Sequence, residues 1–258
     1  MRKPRIDRLL SPFRVATVFA WSALMLTVIA LAALARPGDR LYYRIAMVWC
    51  RGILRVFGVT YSVEGTEHFE PGRDYVVLAN HRSHLDPPIM ALGSPGIETR
   101  WVAKKELKDV PIFGRTLVVT GQIFIDRKDP AAAVAELNDH ERDRGVSVCF
   151  FPEGRRNPDN RLMPFKKGGA AFAINAGLPV LPMAISGSER CLAARSLTAR
   201  PGHVRVKIGA PIATDGLTYD DRDALTERVR AEIARLLEEL EGPGSQSAAS
   251  NPDPGTHV

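Results

Sequence analysis

Cysteine is scarce in this chain, and what there is forms no pattern. Cys50, Cys149 and Cys191 are the only three among 258 residues, widely spaced and odd in number. That excludes a disulfide framework and a cysteine-rich metal module, and it favours a reducing, cytosolic setting. No internal repeat runs through the sequence, so repeat architectures drop out. A phosphate-cradling glycine loop is missing too, which removes the nucleotide-binding classes. Nor is there an excess of acid. The net charge is +6 and the isoelectric point about 9.4, which favours anionic partners such as phospholipid headgroups, phosphorylated substrates or nucleic acid. Nucleic acid is the weakest of these, because the cations are interleaved with apolar strands and there is neither a basic helix nor an aromatic stacking platform.

What is present is first of all a core. Hydrophobic and charged fractions of 45% and 25% are those of an ordinary globular domain. The length is enough for one substantial core, preceded by a leader. Val15 to Ala35 carries no charge and, as a helix, reaches across roughly 30 Å of hydrocarbon. Ala33-Leu34-Ala35 resembles a secretory cleavage site, but the apolar run is longer than the roughly 7–15 residues of a signal core, so a membrane anchor is the better reading. Arg2, Lys3, Arg5, Arg8 and Arg14 lie before the run, and Arg36, Arg40, Arg44, Arg51 and Arg55 after it, so charge bias does not choose an orientation. On a helical wheel Arg44, Arg51 and Arg55 fall within about 40° of one another, away from Ile45, Trp49, Ile53, Val56 and Phe57. That predicts either an in-plane amphipathic helix, with the leader dipping into one leaflet and returning, or a single anchor followed by an ordinary surface helix.

From Thr60 onward strands and helices alternate. Strands are expected at Thr60–Val63, Tyr75–Ala79, Arg100–Ala103, Leu117–Ile125, Val146–Phe151, Val180–Ile185 and Val204–Ile208, each short, apolar and punctuated by Gly or Pro. Helices are expected from Asp129 to Arg144, from Lys166 to Ala176 and from Asp220 to Leu240. The pattern predicts an α/β fold: a single domain whose central sheet is largely parallel or mixed and flanked by helices, preceded by a membrane-attached helical leader. The expected organisation is a leader over 1–58, a domain over 59–241 and a disordered polar tail over 242–258.

Two short segments carry chemistry. Asn80-His81-Arg82-Ser83-His84-Leu85-Asp86 offers a base and a carboxylate five positions on. On one helix those two would lie about 140° apart. With His81 on a loop and Asp86 opening a helix, supported by Pro87, the imidazole folds back onto the carboxylate, which fixes its tautomer. The plain alternative is a loop histidine beside a helix cap. A metal reading of His81, His84 and Asp86 lacks further ligands: downstream only His140 and His203 remain, and His140 lies in a charged helical stretch. Phe151-Pro152-Glu153-Gly154-Arg155-Arg156 is the second segment, an acid and two guanidiniums on a tight turn. Lys104-Lys105, the end of Gly121–Arg127, and Arg155-Arg156 all follow strands, where an α/β sheet gathers its ligands. Guanidinium forks suit phosphate oxygens, although scattered surface cations remain the alternative for each segment. Glu153 is placed to accept a hydrogen bond from a substrate hydroxyl, from Arg155 or from a nearby backbone amide. Cys149 is a conceivable acyl-accepting nucleophile, but its place in the strand alternation marks it as buried.

Taken in order, these segments resemble the glycerolipid acyltransferase family, in particular the bacterial 1-acylglycerol-3-phosphate O-acyltransferases. The matching blocks are Asn80-His81 with Asp86; Lys104 to Leu107 with Phe113-Gly114; Gly121 to Arg127; Phe151 to Gly154; Lys166-Lys167-Gly168; and Val180-Leu181-Pro182. They span about residues 75–187. One position departs: Arg155 stands where the family commonly has Thr or Ser. The resemblance implies that His81, oriented by Asp86, deprotonates a glycerol hydroxyl that attacks an acyl thioester. Arg127, Arg156 and Lys105 would hold the acceptor phosphate, and Glu153 and Gly154 would shape the site around the glycerol. It implies no cofactor and no metal; the donor is a co-substrate, acyl-CoA or an acyl-carrier-protein thioester. The implied partners are lysophosphatidic acid or a related lysolipid and the cell membrane, with the domain on its cytoplasmic side. The alternatives are another lysolipid acceptor, or a non-catalytic membrane-surface protein that only holds anionic headgroups.

Overall fold

A computed structural model of the chain describes residues 4–35, 41–70, 72–110, 113–126, 145–157 and 161–243. In chain order the strands are β1 (Val59–Glu64), β2 (Val76–Ala79), β3 (Glu98–Lys104), β4 (Ile123–Ile125), β5 (Val146–Phe150), β6 (Val180–Ser186) and β7 (Gly202–Ile208). Helices are α1 (Pro4–Ala35), α2 (Leu41–Phe57), α3 (Asp86–Leu92), α4 (Phe113–Val119), α5 (Gly168–Ala176), the single turn α6 (Ser188–Cys191) and α7 (Arg222–Glu241).

Among the described residues the strands form one seven-stranded sheet in the order β1-β7-β6-β2-β5-β3-β4. Its pairs are parallel except for β6 with β7. This is the mixed α/β sheet expected. The all-buried pattern of β2 and β6 follows from helices on both faces. On one face, Val77, Ala79, Leu181, Met183 and Ile185 share a core with Ile89 and Met90 of α3 and with Ile53, Leu54 and Phe57 of α2. On the other, Val76, Leu78, Val148 and Phe150 meet Phe172 of α5 and the stripe Leu225, Val229, Ile233, Leu236 and Leu240 of α7.

The segment Leu117–Ile125, expected as one strand, divides. Residues through Val119 finish α4, a turn closes with Gly121 N–H on Val118 O at 3.0 Å, and only Ile123–Ile125 joins the sheet. A short β-branched run such as Leu117-Val118-Val119-Thr120 fits either state, and packing decides between them. The helix expected at Asp129–Arg144, and with it His140, lies outside the described residues, as does the tail beyond 243.

The leader is not a free appendage. Leu9–Ala32 of α1 is long and apolar enough to cross a membrane. Yet Val15, Val18 and Trp21 pack against the domain core, and Ser11 Oγ donates to Leu197 O at 2.8 Å while accepting Ala199 N–H at 2.9 Å. α2 returns alongside. Trp21 Nε1 donates to Trp49 O at 3.1 Å, and Trp49 Nε1 to Ser22 Oγ at 3.0 Å. Gly52 makes this approach feasible, since a Cβ there would sit 2.1 Å from Trp21 Nε1. The apolar side of α2 is buried in the domain, and Arg44, Arg51 and Arg55 stay exposed on its other edge. Phe13, Phe19, Leu24 and Leu31 form the uncovered side of α1.

Candidate active site

β2, β5, β3, β4 and β6 all point their carboxyl ends the same way, so the loops after them meet on one edge of the sheet. His81 follows β2 there, Glu153 follows β5, Lys105 follows β3 and Ser188 follows β6. Asn80 sets the start of the His81 loop: its side-chain amide accepts Ile185 N–H at 2.8 Å and donates to Ile185 O at 2.9 Å, extending the ladder between β2 and β6 by one rung. The chain then turns tightly, and Asp86 opens α3 with Pro87 behind it.

That turn brings His81 Nδ1 to 2.8 Å from Asp86 Oδ2. The same oxygen accepts Arg82 N–H at 2.6 Å and Ser83 N–H at 2.7 Å, and Oδ1 accepts the hydroxyl of Ser188. Asp86 is fully buried, and these four contacts satisfy its carboxyl oxygens there. In the tautomer whose Nδ1–H faces Asp86 the lone pair falls on Nε2, and Nε2 is bonded to none of the described residues. Phe151 stacks on the imidazole at 4.1 Å between centroids and 20° between planes.

The His81 backbone is held as firmly as its ring. Its N–H donates to Glu153 Oε1 at 2.7 Å, and its carbonyl accepts Asn157 N–H at 2.8 Å. Glu153 Oε2 accepts Met163 N–H at 3.2 Å. Of the partners expected for Glu153, the structure thus gives the backbone amides. Burial raises its carboxyl above the usual range, and those two amides, with the charges of Arg82 and His81, pull it part of the way back. Gly154 holds the turn at φ +72°, where a Cβ would also meet the Lys166 side chain at 2.8 Å.

The basic residues are less gathered than the base and acid. Arg155 and Arg156 are exposed on the loop after β5. Burial, and after it the nearby charge of Arg156, lower the His84 imidazole below its ordinary value. Lys105 is exposed on a 3-10 turn, with Nζ 3.9 Å from Asp126 Oδ2. Arg127 lies outside the described residues. His203 is far from any ligand role beside His81: its ring nitrogens sit against Thr60 Oγ1 at 2.9 Å and Ser62 Oγ at 3.0 Å at the β1 edge. Cys149 is 1% exposed and burial drives its thiol pKa upward, so it holds no thiolate. Ser188, Phe151 as a stacking partner, and the role of Asn80 were not read from the sequence. Ser188 lies 102 residues from Asp86, and no local spacing signals such a contact.

A positioned imidazole–carboxylate pair at the carboxyl edge of an α/β sheet is the equipment of an enzyme that takes a proton from its substrate. The acyltransferase family model matches residues 60–186, which hold both members of the pair. The human 1-acyl-sn-glycerol-3-phosphate acyltransferase alpha is 32% identical, over 90% of this chain and 83% of its own length. A 1-acyl-sn-glycerol-3-phosphate acyltransferase of Pseudomonas aeruginosa is 30% identical, over 93% and 92%. The crystal structure of the 1-acyl-sn-glycerophosphate (LPA) acyltransferase PlsC from Thermotoga maritima shares the fold, with a TM-score of 0.77 at 24% identity, covering 92% of this chain and 98% of that one. The chain belongs to the acyltransferase family.

Proposed function

We propose that this enzyme transfers a fatty acyl group from an acyl thioester to the free glycerol hydroxyl of 1-acylglycerol-3-phosphate, giving phosphatidic acid. The names of the relatives support the acceptor. The observation that carries the chemistry is the His81–Asp86 hydrogen bond with Nε2 left available. Nε2 takes the hydroxyl proton as the oxygen attacks the thioester carbonyl, and Asp86 stabilises the imidazolium. The tetrahedral intermediate collapses, the carbon–sulfur bond breaks, and the imidazolium proton goes to the departing thiolate. An ester and a free thiol result.

Arg127, Arg156 and Lys105 hold the acceptor phosphate in this reading, guanidiniums by paired hydrogen bonds and the ammonium as a point charge. Glu153 and Gly154 act on the glycerol site mainly by fixing the loop that bears His81. The donor is acyl-CoA or acyl-carrier-protein thioester, and no cofactor is needed. The uncovered apolar side of α1 supports attachment to a bilayer, and the exposed arginines of α2 would meet anionic headgroups there. Cytosolic thioester donors put the domain on the cytoplasmic side.

The test is an acceptor panel on the full chain purified in detergent, with thiol release and lipid product both measured. Thioester should be consumed only when a lysophospholipid is present, and lysophosphatidate should serve best. Equal thiol release without acceptor would make the protein a thioesterase. Undiminished product from His81→Ala would remove the proposed base.

A further inference from the structure

The residue that follows the candidate base is an arginine, and it points inward. Arg82 is 1% exposed, among the largest fully buried side chains of the described residues. A guanidinium in that position must have an acid. Among the described residues one such acid comes from the far end of the chain: Arg82 Nη1 donates to Oε1 of Glu241, the last residue of α7, whose side chain is 13% exposed and lies 159 positions away.

Stability alone is a poor reason for such a pair, because apolar side chains of similar volume commonly serve a buried site as well. Glu241 is also poorly placed for its own helix. A carboxylate at a helix C-terminus meets the negative end of the dipole, and the last turn of α7 contains no basic residue. The Arg82 cation relieves both. Meanwhile the backbone N–H of Arg82 lies on Asp86 Oδ2. One residue thus has its main chain on the acid of the candidate site and its side chain on the C-terminal helix. α7 itself is held to the sheet, with the Arg205 guanidinium of β7 donating to Leu240 O.

We propose that Arg82 and Glu241 form a latch through which α7 positions His81 and Asp86 for proton transfer. Neither touches substrate; both are positioning residues. The charge of Arg82 also reaches Glu153 and favours its ionised form, the better acceptor for the His81 N–H. Loss of the latch therefore loosens the His81 backbone from two sides: the Asp86 turn and the Glu153 turn. This rests on the reading of His81 as the base.

The experiment compares the full-length enzyme in detergent with Glu241→Gln, with the paired variant Arg82→Met and Glu241→Leu, and with His81→Ala. Activity is expressed per folded molecule, well below each thermal midpoint. Glu241→Gln should lower kcat about ten- to a hundredfold with KM for both substrates little changed, since misplacing a reacting group costs rate rather than ground-state binding. The paired variant removes both charges without leaving either one buried and alone. It should keep its fold and still show the low kcat. Full kcat in the paired variant would overturn the latch, because the pair would then matter only for folding, and so would an unchanged kcat in Glu241→Gln. If Glu241→Gln does not fold, the paired variant decides. A silent His81→Ala beside a normal Glu241→Gln rejects the latch alone. An active His81→Ala rejects the base, and the latch with it.

Discussion

The Phe151 ring stacks on the His81 imidazole, 4.1 Å away between centroids and 20° from parallel, so the candidate base is gripped on its flat side as well as at Nδ1 and along its backbone. Removing that wall by Phe151→Ala frees the ring to tilt. Contacts of this kind are worth about 0.5–1.5 kcal/mol, so kcat should fall up to about tenfold. Phe151→Leu keeps an apolar wall and should lose less. Steady-state rates at saturating donor and acceptor check both; equal rates for Phe151→Ala and the parent would show that the ring needs no such support.

Asp86 accepts four hydrogen bonds, and an amide in its place would turn two protons toward these donors. Asp86→Asn should therefore reduce kcat by about 10²–10⁴, the range for loss of general-base help. Ser188→Ala removes one donor of the four and should cost far less, by about tenfold at most, since a hydrogen bond to a charged group contributes about 1.5–3 kcal/mol and only part of that reaches the rate. A Ser188→Ala enzyme as inactive as Asp86→Asn would mean that Ser188 meets substrate.

Arg127→Ala should raise the KM for acceptor much more than the KM for donor. Bisubstrate kinetics separate the two. An unchanged acceptor dependence would take Arg127 out of the phosphate site.

His84 gives a pH signature. Burial and the Arg156 charge hold its folded value below the ordinary 6.5, to which it returns on unfolding. Between those values the unfolded chain binds more protons. The stability contributed by neutral His84 is therefore complete above about pH 6.5 and is lost as pH falls through the folded value. Thermal midpoints of the parent should fall more steeply over that window than those of His84→Gln. Parallel curves would deny the shift. A bound lysophosphatidate should raise the His84 value by bringing negative charge beside Arg156, as its ring resonances in a titration would report.

Gly52→Val places a branched side chain where the Trp21 indole sits. Overpacking at such a contact costs about 1–3 kcal/mol. The thermal midpoint should drop, and binding to anionic vesicles should weaken as α1 and α2 separate. A variant that bound vesicles and melted like the parent would show that the two helices do not need that contact.

The contact between His81 and Asp86 was legible because it is local. His81 and Asp86 sit on one turn, with Pro87 marking where the helix begins, and the strand before them is short, apolar and bounded. The sheet was legible for the same reason: its strands are β-branched runs between Gly and Pro. What could not be read depends on contacts across the chain. Ser188 reaches Asp86, and Glu241 reaches Arg82, only because β6 and α7 end on the same edge of the sheet as β2. Leu117 to Thr120 reads as strand by its side chains, yet completes a helix, since a few β-branched residues do not outweigh packing. For Glu153 several partners were open, and the fold chose amides that lie 72 and 10 positions away.

The pair of hydrogen bonds at Ser11 bears on the lipid attachment proposed above. A flexible cable would let the domain tumble above the bilayer and search for its substrates. With Ser11 riveted to Leu197 and Ala199, and with α2 built into the interior, the domain has one tilt relative to the greasy face of α1. Shaving off the leader to obtain a water-soluble form would take away Ile53, Leu54 and Phe57 and uncover the core they pack in, Ile89 and Met90 included, so preparations for study should keep the chain whole and supply it with a surfactant.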